Sequence, residues 1–588
     1  MPADTRATTP FPASFDSVIL AAVVAECQAL IGSRVQRVHQ SGSDGIAIAL
    51  RRAGRSRVLL ASLHPRWGRL HLADDVEVGD ASPFSQQARG RLEGTTLRSM
   101  TAQAFERIAV CGFEGLEGEI DLIIEIMGRH SNLILREGGL IAGAMRVVGE
   151  HRSRIRPVVP HRTYAPPPQR RPTPETVNAA DLRSAAASAA DRPAWRTMLE
   201  AVAGIGPPLA ADVCARADLN PHLPLSAGGV EAALGGLHDL AERVRAAQFS
   251  PVIYTDAGGA PIAYAAFPVV IYEDLAAAAS TMSAAVDTVT AHQAGAAAVD
   301  EARTALAAVV TQASGRVRRA LAAVDEDMRA AAGAGRAREY GELILAYLSR
   351  VEPGAQVLTV PDFQCEPVQI SLDPTRSGVE NAQTYFRRHT KARAALKRLP
   401  VRRTELEAEQ TFLESTVTAI AQADSLDDLW EVEQDLIAAG LRRRARTGAR
   451  PKAVAVARTF DLGGGQVVRA GRSARENEHL TFDVAGPEDW WFHARGMPGA
   501  HVILQARGRR PDQTAMDAAA RIAAYYSAGR TSGKVAVTYT RRRLVRRVRG
   551  GRPGQVQVTG EQTITVSPGL PTGPSGPGTR AKRSARRG

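Results

Sequence analysis

Cysteine is scarce in this chain: Cys27, Cys111, Cys214 and Cys365 are the whole supply in 588 residues, and no two are close enough to read as a metal knuckle or a redox pair. This excludes a disulfide-stapled scaffold and fits a reducing cytosol. Apolar runs are short too, and none approaches the roughly eighteen residues that a bilayer-crossing helix needs. The segment Val18 to Ala25 is preceded by Asp16, closed by Glu26 and flanked by a single basic residue, Arg6. It reads as an amphipathic helix start and not as a signal peptide. Also missing are a phosphate loop of the Gly-Lys-Ser type, a nucleophile elbow and a His-Glu-x-x-His zinc motif. No cofactor, no metal and no catalytic constellation is expected, and Gly463-Gly464-Gly465 reads as a hairpin turn.

Basic charge is what the chain has in surplus. Lys and Arg number 74 against 61 Asp and Glu, a formal excess of +13, which favours a polyanionic partner through phosphate neutralisation and counterion release. Nucleic acid is the first candidate. The bland alternative is a GC-rich genome that encodes Arg where another would use Lys. The length exceeds what one core supports and implies about three to five units.

From Phe15 to about Leu135 short helical and alternating runs mix, with strand-like stretches at Arg107 to Phe113 and Asp121 to Met127, the pattern of an α+β domain. A Pro-rich break at Tyr164 to Pro174 ends it. Gly204-Ile205-Gly206-Pro207 then separates two apolar-periodic segments, which suggests a helix-hairpin-helix whose backbone N–H groups face a phosphate, or simply a tight connection. After a strand pair around Pro251 to Tyr272 the composition turns to Ala, Glu, Arg and Leu. Two long helices are predicted, at about Ala276 to Val351 and Val379 to Gly440, with a strand-rich interruption at Val357 to Leu372. Leu406, Leu413, Val417 and Ile420 have coiled-coil spacing. Ser425 with Asp428 is read as a cap that restarts a helix, and Gly440 as a stop. Two antiparallel helices of this length make an arm of roughly 90 to 100 Å. A basic linker, Arg442 to Arg450, leads into a last α+β domain, and the Pro, Gly and Arg composition beyond Ser567 reads as disorder.

Three segments carry chemistry. In Asp121 to Leu135, Arg129, His130 and Asn132 stand in a turn and are candidates to face one ligand, or else the turn merely satisfies its own backbone. In Asp489 to Val502, Trp490, Trp491, His493, Arg495 and His501 have the makings of a stacking platform for unpaired bases, although at least one tryptophan is expected in the core. The run Arg541, Arg542, Arg543, Arg546, Arg547, Arg549 and Arg552 holds seven arginines and no acid, a density that calls for an anion. A second cluster, Arg376 to Arg403, has nine Lys or Arg against Glu380 alone. Pro2 resembles the N-terminal proline nucleophile of glycosylases that act on damaged DNA, but Ala3 and Asp4 leave it without the adjacent glutamate.

From Phe15 to Val566 the chain resembles the RqcH family, also called NFACT proteins and often labelled fibronectin-binding. The resemblance rests on Phe15-Asp16-Ser-Val-Ile-Leu, Gly128-Arg129-His130-Ser131-Asn132, Gly204-Ile-Gly-Pro with Arg216-Ala217-Asp218-Leu219, Ile370-Ser-Leu-Asp373-Pro374 with Glu380-Asn381-Ala382, and Trp491-Phe492-His493-Ala494-Arg495 with Pro498-Gly499 and His501-Val502. It implies a multidomain α+β architecture. A lobe distantly similar to DNA glycosylases spans 11–175, a helix-hairpin-helix 176–250 and return strands 251–275. A coiled-coil arm follows at 276–450, an RNA-binding domain at 451–566 and a basic tail at 567–588. It further implies a cytoplasmic ribosome quality control factor whose partners are the large ribosomal subunit, its rRNA, peptidyl-tRNA, charged alanine tRNA and a small helper protein, with no DNA and no membrane. Such a factor directs template-free alanine tailing while the ribosome itself makes the peptide bonds, so the chain is not expected to be an enzyme. The family's Asp-Arg pair for tRNA selection falls on Glu106-Arg107 here, so the carboxylate moves out by about one methylene while the guanidinium fork is kept. Arg129, His130 and Asn132 join that tRNA site. The reading from another class is a surface adhesin that binds host matrix.

Overall fold

The apolar segment after Asp16 folds as a helix, α1 (Ser17–Cys27), because Asp16 caps it, accepting the Val18 and Ile19 amides at 3.1 and 3.0 Å. The computed structural model describes residues 13–74, 76, 78–116, 118–188, 190–443, 457–505, 511–549 and 551–571. Pro2, the linker from 444 to 450 and the tail from 572 onward lie outside these. The helix is not amphipathic as expected: Val18, Ile19, Leu20, Ala22, Val23, Val24 and Cys27 are all buried, so it is wrapped by core on nearly every side.

That core belongs to a first unit, Met1–Ala297. Its main element is a nine-stranded antiparallel sheet of β1 (Arg34–Ser41), β2 (Gly45–Arg52), β3 (Arg55–Ser62), β4 (Arg69–Ala73), β5 (Thr96–Ala102), β6 (Ile108–Gly115), β7 (Gly118–Glu125), β8 (Asn132–Glu137) and β9 (Leu140–Ala144), in the order β4-β3-β2-β1-β5-β6-β7-β8-β9. α2 (Pro83–Leu92) starts at a Ser82 capping box. The helices α3 (Ala179–Ala187), α4 (Ala194–Ala201), α5 (Pro207–Arg216) and α6 (Val230–Arg245) follow, then the small sheet β11-β10-β12 of β10 (Val252–Thr255), β11 (Pro261–Ala265) and β12 (Ala276–Ala278). One apolar cluster joins α1, the sheet and these helices.

The long helix α7 (Met282–Gly333) begins in this unit and continues into the second, Ala298–Gly588. After it come α8 (Ala337–Ala346), the hairpin β13 (Val357–Pro361) and β14 (Pro367–Ser371), α9 (Gly378–Ala421) and α10 (Leu426–Ala438). The two long helices have 52 and 44 residues, or roughly 80 and 65 Å. Both are shorter than the sequence suggested, because the chain turns at Ala334 to Arg336 and restarts at Ser425, whose hydroxyl accepts the Asp428 amide at 3.1 Å. The seam buries Leu399, Leu406, Leu413 and Ile420 against Leu306, Val310, Ala313 and Val317. Val417 is a correction: it is 52% exposed, and Thr416 takes the inward place with its hydroxyl bonded to the Phe412 carbonyl at 2.8 Å.

The last region is a six-stranded sheet, ordered β15-β16-β18-β17-β19-β22, of β15 (Arg458–Asp461), β16 (Val467–Ala470), β17 (Trp490–Ala494), β18 (Val502–Gln505), β19 (Val535–Arg541) and β22 (Gln562–Val566). α11 (Ala474–His479) precedes β17, α12 (Gln513–Tyr525) covers one face of the sheet, and the pair β20 (Val545–Arg547) and β21 (Val556–Val558) forms a ribbon of its own. The base of the arm is bolted to this sheet by buried charge. Arg458 bonds Asp428 at 2.7 Å and the Gln422 carbonyl at 3.0 Å, while Arg472 clasps Glu476 and lies 3.6 Å from the same Asp428.

Candidate nucleic-acid interface

Three sequence motifs that lie far apart in the chain meet in the first unit. Ser17 Oγ donates to the Gly204 carbonyl at 2.5 Å, and the Gly206 amide donates to Asp16 Oδ2 at 3.0 Å. The Gly204 hairpin therefore points its Gly206 N–H at a protein carboxylate, which corrects the expectation of a phosphate there. Gly204 has φ +87, and a Cβ on it would lie 2.3 Å from the Phe105 carbonyl oxygen. Phe105 is buried with φ +54, a conformation that brings the next two residues, Glu106 and Arg107, to the surface. Glu106 is half-buried and Arg107 exposed.

Burial pushes the Glu106 carboxyl above its ordinary range, while Arg107 and Arg171 pull it back. Burial also lifts Asp16 to about 6, against amide bonds from Ile19, Gly206 and Val18 and the charge of Arg107. The opening segment, the Gln103 to Arg107 turn and the helical hairpin are thus one cluster, with the Glu106-Arg107 pair on its outside.

The Gly128 turn sits beside it. Ile108, Glu125 and Asn132 pair across β6, β7 and β8, and the Ile126 amide donates to the Arg107 carbonyl at 2.9 Å. Arg129 and His130 are exposed, with Arg129 Nε 3.1 Å from His130 Nε2. Asn132 does not face outward with them. It is buried, its Oδ1 accepts the Leu133 and Arg146 amides at 3.0 and 2.9 Å, and its Nδ2 donates to the Arg146 carbonyl at 2.8 Å. Its hydrogen-bonding groups are spent on the scaffold.

Sequence reasoning missed two contributors. Arg146 donates to the Arg129, Ser131 and Leu63 carbonyls and reaches Asp44 at 3.3 Å, tying three turns together. His64 stacks on Trp67 with centroids 4.5 Å apart, and Arg66 lies over the same indole. The Pro65 carbonyl is 3.6 Å from where a Gly128 Cβ would be, so this aromatic and cationic turn adjoins Arg129. The adjacent Arg66-Trp67 pair was the available signal.

In the second unit the Trp490 to His501 segment is not an open platform. Strand alternation sends Trp490 and Phe492 toward α12 and Trp491 and His493 to the opposite face. Trp491 is 2% and His501 3% exposed. His501 Nδ1 is 2.8 Å from Thr481 Oγ. Burial pulls His493 down to about 4 and His501 to about 3, so both rings are neutral at physiological pH. Arg495 is exposed, with Nη1 3.4 Å from Thr563 Oγ. Among the described residues no cluster of three His, Cys, Asp or Glu could hold a metal ion.

The arginine run also departs from expectation. Arg541 covers Trp490 and bonds the Glu488 carbonyl, Arg542 donates to the Thr481 and Phe482 carbonyls, Arg543 pairs with Glu488, and Arg547 pairs with Glu478 and Asp483. Acids from elsewhere in the fold neutralise much of a run that has none of its own. Arg546 and Arg549 are exposed, and their guanidinium groups have no hydrogen-bond or ion-pair partner among the described residues.

These features define a modular α+β chain that carries two long helices. The family of NFACT N-terminal and middle domains matches residues 16–454, and the chain belongs to it. It is 28% identical over 573 residues to a protein named Rqc2 homolog RqcH from Streptococcus pneumoniae, covering 94% of this chain and 98% of that one. To the Rqc2 homolog RqcH of Bacillus subtilis it is 25% identical over 576 residues, covering 95% and 99%. Among solved structures, the N-terminal part of the fibronectin/fibrinogen-binding protein of Streptococcus suis is similar at 24% identity and a TM-score of 0.38, over 47% of this chain and 98% of that one. No described helix is long and apolar enough to cross a membrane.

Proposed function

We propose that this protein is a cytoplasmic ribosome quality control factor. It binds large ribosomal subunits that carry a stranded peptidyl-tRNA, recruits charged alanine tRNA and directs template-free C-terminal alanine tailing, with a small helper protein assisting. The chain contributes no peptide-bond chemistry of its own; the ribosome supplies it. Glu106 and Arg107, with Arg129 and His130, grip tRNA, while Asn132 holds their turn in place. The C-terminal domain touches rRNA.

The observation that carries this reading is the convergence of the opening segment, the Gly204 hairpin and the Glu106-Arg107 turn beside Arg129 and His130, in a chain that RqcH relatives match almost end to end. An exposed guanidinium fork beside a carboxylate can bind a phosphate and a base edge together.

The test is sedimentation of a tagged copy through a sucrose gradient, with sequencing of the RNA that travels with it. Free large subunits and one tRNA family are the expected cargo. Glu106→Ala with Arg107→Ala is expected to abolish alanine tails on stalled chains, and unchanged tails would overturn the tRNA assignment.

A further inference from the structure

The second unit holds a cavity of about 600 Å³ between the last turns of α9, the β20–β21 ribbon and the face of the six-stranded sheet that α12 leaves uncovered. A volume of that order suits a nucleotide-sized ligand. Its floor is built of rings. His493 lies parallel to Trp491 with centroids 5.7 Å apart, and His501 stands edge-on to both.

The interior carries no spare positive charge. Both histidines are neutral at physiological pH, and of the three arginines in the wall the two buried ones, Arg458 and Arg472, are taken up by Asp428 and Glu476. An anion placed inside would find no free cation. Ser415 and Thr418 on α9 donate their hydroxyl protons to the Thr411 and Glu414 carbonyls and so offer acceptors, and Thr538 on β19 adds a third hydroxyl. The lining carboxylates Glu414, Asp435 and Glu561 repel phosphate and accept from an amino group.

Exposed cations lie at the solvent side. Arg495, in the wall, is exposed, and exposed Arg549 follows the lining residue Val548. Neutral rings within and guanidinium groups without suit a planar, uncharged heterocycle whose charged backbone stays in solvent.

We infer that this cavity receives one unpaired, amino-bearing base of an RNA strand, stacked on His493, with the flanking phosphates held by Arg495 and Arg549. The inference deepens the RNA-binding reading above and rests on it for the source of the strand.

The full-length protein is titrated into fluorescein-labelled hexaadenylate and into a labelled abasic hexamer with the same phosphates, read by anisotropy. The intact strand is expected to bind at least about tenfold more tightly. Ser415→Trp, which fills the cavity from α9, is expected to erase that gap, and His493→Phe, which keeps a ring, to retain most of it. Thr418→Tyr serves as a second filling variant should Ser415→Trp melt early. Equal affinity for the two strands, or a gap that survives both filling variants, overturns the inference. Cosedimentation with large subunits is measured in parallel. A wild-type protein that rides with subunits yet ignores the base defeats the cavity alone, and one that prefers the base but never meets subunits defeats the ribosomal reading alone.

Discussion

Gly204→Ala is the sharpest test of the joint in the first unit. The position sits at φ +87, where an L side chain costs roughly 1–2 kcal/mol. The added methyl would also stand 2.3 Å from the Phe105 carbonyl oxygen and 2.7 Å from its Cβ, an overlap of backbone that typically costs about 1–3 kcal/mol to relieve. Together these amount to roughly 2–5 kcal/mol, or a fall of about 5–15 °C in the melting temperature of a unit this large. Because Phe105 immediately precedes Glu106 and Arg107, relief of the clash displaces both. Weaker tRNA binding is therefore expected well below the melting transition. Gly228→Ala is the control, since nothing lies within 4 Å of its Cβ and its φ is ordinary. Differential scanning calorimetry and tRNA filter binding on the two variants decide the matter. A Gly204→Ala protein that melts with the wild type and binds tRNA equally would show that the hairpin does not support the Glu106-Arg107 turn.

Arg146→Ala strips a donor from the Arg129, Ser131 and Leu63 carbonyls and the partner from Asp44, so a loss of about 2–4 kcal/mol in denaturant melts is expected. Asp16 is lifted from 3.8 to about 6 in the fold, so the folded chain binds its proton more tightly than the unfolded one. Its contribution is greatest below about pH 4 and is lost as pH rises through about 6, by at most about 3 kcal/mol. Asp16→Asn is accordingly expected to flatten the slope of stability against pH between these values, and an unchanged slope counts against the assignment. Replacing Arg546 and Arg549 by Glu removes two unpaired cations, which is expected to lower the salt slope of single-strand RNA binding by about 1.4. Arg543→Ala, whose guanidinium already pairs with Glu488, is expected to change that slope little.

Local pattern exposed much of this structure. Caps at Asp16 and Ser425, the heptad spacing through Leu406, Leu413 and Ile420, and the turn at Gly204 are all written within a few residues of where they act. What could not be read was which distant residues answer them. Arg543 and Arg547 look unpaired because their acids, Glu488 and Glu478, stand 55 and 69 residues away. Arg146 looks ordinary until the fold gathers three turns around it. Asn132 opens β8 and does not stand in the turn, and its burial depends on the Arg146 backbone 14 residues further on, which no short window contains. Val417 failed for a subtler reason. Thr416 can bury itself because its helix carbonyl satisfies the hydroxyl, so a polar letter took the seat that hydrophobicity assigned to valine.

Asp428 is shared by two guanidinium groups, one from β15 and one from beyond β16. Any swivel at the foot of α10 would leave positive charge marooned away from water, at a cost no thermal fluctuation readily meets. Lever and head must consequently travel as a single casting.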